Sequence, residues 1–227
     1  MEISVGRSLL ESNDALAAEL SGRFARAGVL ALNLISSPGA GKTSLLEHTL
    51  RDLSGEFSMA VIEGDLQTDN DARRVAATGA LVEQINTGGG CHLDASMILE
   101  VIPRFPLRDL DILFIENVGN LVCPVEFNCG EDHKVALLSV AEGDDKPEKY
   151  PLLFHLSSVL LLNKIDLLPY VDFDQEKAAR FARAANPRLS ILPVSCRGEG
   201  EGLEAWREWL REAVKAKRAK HAGTSGE

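Results

Sequence analysis

One segment constrains the fold of this chain more than any other: Ser36-Ser-Pro-Gly-Ala-Gly-Lys-Thr43. It follows a continuous apolar run, Val29–Ile35, and precedes a segment with helical periodicity from Lys42 to Leu53. It differs from the phosphate-loop pattern G-x-x-x-x-G-K-[ST] only at Ser36, where the pattern has glycine. A strand, a glycine-rich turn and a helix in this order predict an α/β fold of the P-loop NTPase class.

Further apolar runs of strand length alternate along the chain with segments of helical periodicity. The predicted strands are 29–35, 57–62, 80–85, 110–115, 135–140, 158–162 and 190–194. The predicted helices are 5–27, 42–53, 94–104, 174–185 and 202–218, and 142–150 is predicted to be a loop. Because these strands are apolar throughout and do not alternate with polar residues, we expect a mostly parallel sheet with helices on both faces.

The predicted phosphate loop has the chemistry needed to bind a nucleoside triphosphate. Its backbone N–H groups can converge on one phosphate, and the following helix N-terminus adds partial positive charge. Lys42 is expected to bridge the β- and γ-phosphates and to act in catalysis, while the Thr43 hydroxyl is expected to bind Mg²⁺. The predicted phosphate-binding residues are Gly39, Ala40, Gly41, Lys42, Thr43 and Ser44.

The choice of base is predicted from Asn163-Lys-Ile-Asp166, which follows an apolar strand late in the chain. The Asp166 carboxylate can accept hydrogen bonds from both N1–H and the amino group of guanine, whereas adenine would leave it unpaired. Lys164 is expected to lie over the ring. Asn163 is expected either to contact the other edge of the base or to tie neighbouring loops together. Ser195, in a later loop, is a weaker candidate for contact with guanine O6.

Two acidic segments follow predicted strands, at the edge of the sheet where ligands of α/β proteins bind. Asp65 ends Glu63-Gly-Asp65, and Glu116 begins Glu116-Asn-Val-Gly119. We expect Asp65 and Glu116 to bind Mg²⁺ and position water, and Gly119 to bring its N–H to a γ-phosphate. The alternative is that both acids only cap strand ends. Because no glutamine or arginine is obviously placed to assist hydrolysis, we expect slow intrinsic turnover.

Cysteine and histidine residues lie between the two halves of this predicted nucleotide site. Cys91 and His92 are adjacent after three glycines, and Cys123 follows the Glu116 segment. Together they supply three ligands to a metal that usually takes four, so water, a neighbour or a second subunit would complete the set. Thiolate and imidazole suit Zn²⁺ and Ni²⁺ alike. The alternative is two small buried cysteines and a surface histidine; Cys129 and His133 are either further ligands or incidental.

Length, charge and cysteine content limit the remaining possibilities. We expect an amphipathic helical segment at 1–28, a GTPase domain at 29–214 and a flexible basic tail at 215–227. The net charge of −10 argues against a nucleic-acid partner. Because no apolar run approaches the roughly 20 residues of a membrane span, we expect no membrane association. The N-terminus has neither a basic nor an apolar signal region, so reduced thiols in the cytoplasm are expected.

Several motifs together make residues 8–212 similar to the HypB family of GTPases, which assist nickel insertion into [NiFe]-hydrogenase. The motifs that carry the resemblance are the leading helix with Asn13-Asp14, Ser36–Thr43, Glu63–Asp69, Gly90–Ala95, Glu116–Pro124 and Asn163–Asp166. The pieces Cys91-His-Leu-Asp94 and Asn120-Leu-Val-Cys-Pro124 are the specific ones. The phosphate loop is common to many other families.

The resemblance implies a SIMIBI-class P-loop GTPase that hydrolyses GTP to GDP and dimerises when GTP is bound. It implies an interface metal site on Cys91, His92 and Cys123 for Ni²⁺ or Zn²⁺. It also implies two partners, the nickel-insertion accessory protein HypA and the hydrogenase large-subunit precursor. The N-terminal cysteine motif and histidine-rich stretch of some relatives are missing here, and Asn128-Cys129 departs from the family pattern.

Three other functions remain open at this point. A urease-maturation GTPase would carry Cys-Pro-His at the metal segment, whereas no proline separates Cys91 from His92. A nucleotide kinase is disfavoured by Asn163–Asp166 and by the lack of a recognisable acceptor-binding signature. A metal sensor without enzymatic activity would bind nucleotide but would not hydrolyse it.

Overall fold

The computed structural model describes residues 5–65 and 70–224, with side chains described for 9–65 and 70–223. Residues 66–69 of the motif Glu63–Asp69 therefore lie outside the described residues. The strands are β1 Leu30–Ser36, β2 Met59–Asp65, β3 Leu81–Asn86, β4 Ile112–Glu116, β5 His133–Ser139, β6 Ser157–Asn163 and β7 Ser190–Pro193. The helices are α1 Val5–Ala27, α2 Lys42–Leu53, α3 Asn70–Ala76, α4 Ala95–Val101, α5 Cys123–Glu126, α6 Lys146–Lys149, α7 Pro151–Leu156, α8 Gln175–Ala185 and α9 Leu203–Thr224.

All paired strands of the described sheet run parallel, in the order β3-β2-β4-β1-β5-β6-β7. This confirms the predicted parallel α/β class. Every residue of the central strand β1 is buried, which explains why its sequence does not alternate between apolar and polar residues. The register sets Leu34 beside Glu116, and Glu116 beside Glu63. The carboxyl ends of β1, β2 and β4 therefore meet at one edge.

Helices cover both faces of the sheet. Leu30, Leu32 and Leu34 of β1 pack in one apolar cluster with α2 and α9, whereas Ala31 packs in another with α1 and α4. Successive side chains of a strand point to opposite faces, so these two clusters lie on opposite sides. A third cluster unites the second half of the sheet with α7 and α8.

The C-terminal segment differs from the expected flexible tail at 215–227. Helix α9 continues through Thr224, and the expectation is wrong for this part of the segment. The Lys217 side chain is only 9% exposed, and its ammonium donates to both carboxylate oxygens of Asp132 at 2.7 and 2.8 Å. Asp132 also accepts from the N–H of Ala31 in β1. The helix end is thus held against the sheet by a shielded ion pair, which composition alone did not reveal.

Short helices account for the other differences. The region 142–150, predicted to be a loop, contains α6, and neither α3, α5 nor α7 was predicted. These helices span four to seven residues, too few for a period of 3.6 residues to be recognised. In the described ranges, no helix has the length and apolar character needed to cross a membrane.

Candidate functional site: a nucleotide cavity beside a thiol–imidazole cluster

The phosphate loop connects β1 to α2 through two glycines with positive φ. Gly39 has φ 73° and Gly41, the N-cap of α2, has φ 104°, angles that glycine adopts without steric cost. The buried Lys42 ammonium donates to Ser36 Oγ at 3.1 Å. The serine that departs from the sequence pattern therefore ends β1 and gives the loop lysine a polar partner.

A cavity of about 370 Å³ opens in front of this loop and is called the phosphate cavity below. Its lining comprises Pro38, Gly39, Gly41, Lys42, Thr43, Ser44, Glu63, Gly64, Asp65, Asp71, Arg74, Glu116, Asn117, Val118, Gly119 and Lys164. Gly119 lies so close to the loop that a Cβ there would stand 2.8 Å from the backbone of Pro38. The predicted candidates Lys42, Thr43, Asp65, Glu116 and Gly119 are thus brought together around one space.

Three carboxylates form a cluster in the cavity wall: Glu63, Asp71 and Glu116 each offer an oxygen within 4.8 Å of the others. Thr43 Oγ1 donates to Glu116 Oε1 at 2.9 Å. The second carboxylate oxygens of Glu63 and Glu116 are buried and have no hydrogen-bond partner among the described residues. Buried, unpaired carboxylate oxygens next to a phosphate loop fit a divalent cation, which would supply the missing positive charge.

Burial perturbs the protonation of this cluster. It raises the pKa of Glu63 to about 8, helped by the charges of Glu116 and Asp65. Burial also raises the pKa of Glu116 to about 7, although the Lys42 charge and the Thr43 hydrogen bond oppose it. The pKa of Lys42 is lowered, again chiefly by burial. Perturbed groups gathered in one cavity are typical of a functional site.

Sequence reasoning missed two of these acids. In the segment Glu63-Gly-Asp65 the sequence predicted Asp65, and not Glu63, as the Mg²⁺ ligand. Asp65 lines the same cavity but lies outside the cluster. The pairing of Glu63 with Glu116 in adjacent strands could have been inferred had the strand order been known. Asp71 lies on the unpredicted helix α3, so no sequence signal pointed to it.

The predicted base-recognition residues Asn163, Lys164 and Asp166 line a smaller adjoining cavity of about 190 Å³, whereas Ser195 does not line it. Asn163 Nδ2 donates to the carbonyl of Ala40 at 2.8 Å, which ties this loop to the phosphate loop, one of the two roles considered. Lys164 has φ 63°, and its ammonium donates to the carbonyl of Gly39 at 2.7 Å. Asp166 lines the cavity as well.

Ser195 occupies a supporting position in this region. It is buried, and its hydroxyl donates to Asp166 Oδ1 at 2.6 Å. The hydroxyl is therefore placed to orient the Asp166 carboxylate. Cys196 and Arg197, the next residues of the same predicted loop, line the cavity beside Asp166.

The second candidate site is a thiol–imidazole cluster formed by Cys91, His92 and Cys123. Their ligand atoms lie within 4.8 Å of one another, although Cys123 is 32 residues from Cys91 in the sequence. Cys91 is exposed, and His92 and Cys123 are partly buried. The His92 ring lies 3.9 Å from that of Phe127, measured between centroids, and this contact restricts its orientation.

The protonation of the cluster suits a soft or borderline metal. Burial lowers the pKa of His92, which favours the neutral imidazole that metals bind. A side-chain hydrogen bond with the Cys123 thiol raises the pKa of Cys91, and burial and the Cys123 charge add to this. A cation bound between the two sulfurs would displace their protons.

One buried side chain joins the two sites. Asn117, which lines the phosphate cavity, accepts a hydrogen bond from the N–H of Leu93 at 2.9 Å and another from Val118 at 3.0 Å. Its amide nitrogen donates to Asn33 Oδ1 at 3.2 Å. Leu93 directly follows His92. A displacement of Asn117 would therefore move Leu93 through their hydrogen bond, and with it the neighbouring His92 of the cluster.

Cys129 and His133 lie outside the cluster. Cys129 is fully buried in the apolar core, where its thiol donates to the carbonyl of Leu93 at 3.5 Å and burial raises its pKa. His133 Nδ1 lies 2.7 Å from Ser158 Oγ, with the ring edge-on to Trp209. Both fit the incidental interpretation.

Comparison with known proteins gives matches over most of the chain. The family model for the CobW/HypB/UreG nucleotide-binding domain matches residues 30–193. Hydrogenase maturation factor HypB of Escherichia coli strain K12 is 55% identical over 208 residues, which cover 92% of this chain and 71% of that protein. Hydrogenase/urease maturation factor HypB of Helicobacter pylori strain J99 is 39% identical over 215 residues, covering 93% and 88% of the two chains.

Solved structures agree with these matches. The crystal structure of HypB from Helicobacter pylori in complex with nickel has a TM-score of 0.85 at 38% identity, covering 91% of this chain and 97% of that one. That of the hydrogenase maturation factor from Archaeoglobus fulgidus has 0.84 at 38% identity, covering 90% and 99%.

Proposed function

Because the chain belongs to the HypB family of hydrogenase maturation factors, we propose that it is a GTP-hydrolysing metallochaperone that binds nickel and assists its insertion into the [NiFe]-hydrogenase precursor. The observation that carries this proposal is the thiol–imidazole cluster of Cys91, His92 and Cys123 beside the phosphate cavity. Leu93, which follows His92 of the cluster, bonds to Asn117 in the wall of the phosphate cavity. Such a connection suits a protein that couples its nucleotide state to metal release.

Nickel is the cargo of this site, and zinc is a second ion that the same ligands would accept. Two thiolates and one imidazole leave at least one coordination position open. The exposure of Cys91 leaves that position accessible to water or to a second copy of the chain. We propose that the GTP-bound protein forms a homodimer through this face, so that each copy completes the site of the other.

The phosphate cavity supports hydrolysis of GTP to GDP and phosphate. Lys42 would neutralise the β- and γ-phosphates, and Asp166 would select guanine. Thr43 and Glu116, with Glu63, Asp71 and Asp65, would hold Mg²⁺, which neutralises phosphate charge when bound. Gly119 packs closely against Pro38 of the loop, and its N–H would contact a γ-phosphate.

Coupling between the sites follows from the short path between them. A γ-phosphate contact at Gly119 would shift the segment that contains Asn117 and ends near Cys123. Asn117 would transmit the shift to Leu93 through their hydrogen bond. Loss of the γ-phosphate would relax both connections, and this is the arrangement that an order–disorder switch requires.

HypA and the hydrogenase large-subunit precursor are the proposed partners, and the cytoplasm is the proposed location. The relative from Helicobacter pylori, named a hydrogenase/urease maturation factor, favours nickel delivery to urease as a second candidate. The two candidates differ in the acceptor protein and share the same nucleotide and metal chemistry.

Stoichiometric titration with Ni²⁺ and with Zn²⁺ tests the metal site. Cys91→Ala and Cys123→Ala should each remove the tight site, whereas Cys129→Ala, which deletes a thiol outside the cluster, should keep it. The titrations are repeated with GDP and with a non-hydrolysable GTP analogue while the mass in solution is followed. Unchanged nickel binding in Cys91→Ala would eliminate the proposed site. A wild-type protein that binds GTP without hydrolysing it would favour the metal-sensor function.

A further inference from the structure

One arginine that was not among the predicted site residues lines the phosphate cavity. Arg74 lies on α3, and its side chain is 46% exposed. Its Nη2 donates to Ser44 Oγ of the phosphate-loop helix at 3.1 Å. Arg74 is the only arginine among the described residues that line this cavity. In the sequence no arginine was obviously placed to assist hydrolysis, and the fold brings this one to the cavity.

Two carboxylates hold this guanidinium in place. Glu47 of α2 pairs with it through both oxygens, at 3.1 Å to Nε and 2.7 Å to Nη2. Asp71 accepts from Nη1 at 3.2 Å and also belongs to the acidic cluster. The arginine is thus tethered between the outer face of α2 and the wall where Mg²⁺ would bind.

The cavity has few other fixed positive charges for a triphosphate. Of its remaining cationic lining residues, Lys42 is the phosphate-loop lysine, and the Lys164 ammonium already donates to Gly39. Hydrolysis of a nucleoside triphosphate adds negative charge to the leaving phosphate oxygens as their bond to the γ-phosphorus breaks. The half-exposed Arg74 guanidinium in the wall of this cavity is the further cation available to meet that charge.

We propose that Arg74 leaves Glu47 when nucleotide binds and contacts the phosphates from within the same chain, where it stabilises the charge that develops during hydrolysis. This rests on the proposed GTPase function. Water attacks the γ-phosphorus and the bond from it to the β-phosphate oxygen breaks, so GDP leaves with that oxygen. The oxygen of the water goes to inorganic phosphate and its protons go to phosphate and solvent, while Arg74 gives and takes no proton. The exchange replaces a bidentate pair with one carboxylate by a pair with phosphate, whose geometry and higher charge the guanidinium fork also matches.

A purely structural role makes a different prediction from a phosphate contact. If Arg74 only ties α3 to α2, Arg74→Ala and Glu47→Gln break the same tie and should have the same effect. If Arg74 acts on the phosphates, Glu47→Gln frees it, and the two variants should change nucleotide binding in opposite directions. Arg73→Ala, on the same short helix but not lining the cavity, is the matched control.

The experiment measures two affinities and one rate. The affinities are those for GDP alone and for GDP with aluminium fluoride, which mimics the transferred phosphoryl group. The rate is that of GTP hydrolysis in a single turnover. We expect Arg74→Ala to lower the aluminium fluoride affinity and the rate by about 10- to 100-fold, as for a lost hydrogen bond to a charged group. GDP affinity should change less than about threefold. Glu47→Gln should raise the aluminium fluoride affinity, and Arg74→Lys should recover part of the loss.

The outcomes separate this proposal from the function on which it rests. Wild-type hydrolysis with unchanged Arg74→Ala values would overturn the role of Arg74 and leave the GTPase intact. Equal losses of aluminium fluoride affinity and hydrolysis rate in Arg74→Ala and Glu47→Gln would show that Arg74 only connects α3 to α2, and would overturn its role at the phosphates. A wild-type protein that neither hydrolyses GTP nor binds GDP with aluminium fluoride would overturn both proposals.

Discussion

Replacement of Asn117 by alanine should uncouple nickel affinity from the bound nucleotide. The side chain makes three buried hydrogen bonds, to the N–H groups of Leu93 and Val118 and to Asn33 Oδ1. At about 1 kcal/mol each, their loss should lower the free energy of unfolding by about 3 kcal/mol. A domain with a stability of about 5–15 kcal/mol tolerates this loss and stays folded.

The assay is the ratio of nickel dissociation constants measured with GDP and with a non-hydrolysable GTP analogue, both at saturation. Coupling between sites typically changes affinity by about 5- to 150-fold, and the wild-type ratio should lie in that range. In Asn117→Ala the ratio should fall towards one, because the direct bond between the switch segment and the metal loop is lost.

Asn33→Ala is the control matched for stability. It removes one neutral bond to Asn117, at about 1 kcal/mol, and one bond to the charged Glu131 carboxylate, at about 2 kcal/mol. The expected loss is again about 3 kcal/mol, but the bond between Asn117 and Leu93 is kept. Its nickel ratio should remain close to that of the wild type. A wild-type ratio in Asn117→Ala, or equal losses in both variants, would refute the proposed path.

Three further predictions concern the metal, the base and the fold. Because the neighbouring thiol raises the pKa of Cys91, protons compete with nickel at neutral pH. The apparent affinity for nickel should therefore rise with pH, by up to about tenfold per pH unit for each proton released. A nickel affinity that stays constant between pH 6 and 8 in calorimetric titrations would contradict this. Asp166→Asn should weaken GTP binding by about 10- to 100-fold, the cost of losing charged hydrogen bonds, and competition with a fluorescent nucleotide measures it. Lys217→Ala should lower the free energy of unfolding, measured by urea titration, by about 1–3 kcal/mol, because it leaves the partly buried Asp132 without its cation. Lys215→Ala, which removes an exposed pair, should lower it by less than about 0.5 kcal/mol.

Local sequence determined the elements that depend on short-range chemistry. The phosphate loop, the strand before it and the helix after it are defined by glycine conformations and apolar runs within residues 29–53. The fully apolar strands likewise indicated a parallel sheet, since only a sheet covered on both faces buries such strands. The resemblance to a known family added the grouping of Cys91, His92 and Cys123, which spacing had left undecided.

Only the tertiary structure decided which distant residues meet. The strand order sets Glu63 beside Glu116, and α3 brings Asp71 and Arg74 to the phosphate cavity. The Asp132–Lys217 pair that fixes the end of α9 joins residues 85 positions apart. The bond from Asn117 to Leu93 spans 24 residues. Such contacts depend on strand order and helix packing, which follow from the burial of the whole core and leave no mark in any short stretch of sequence.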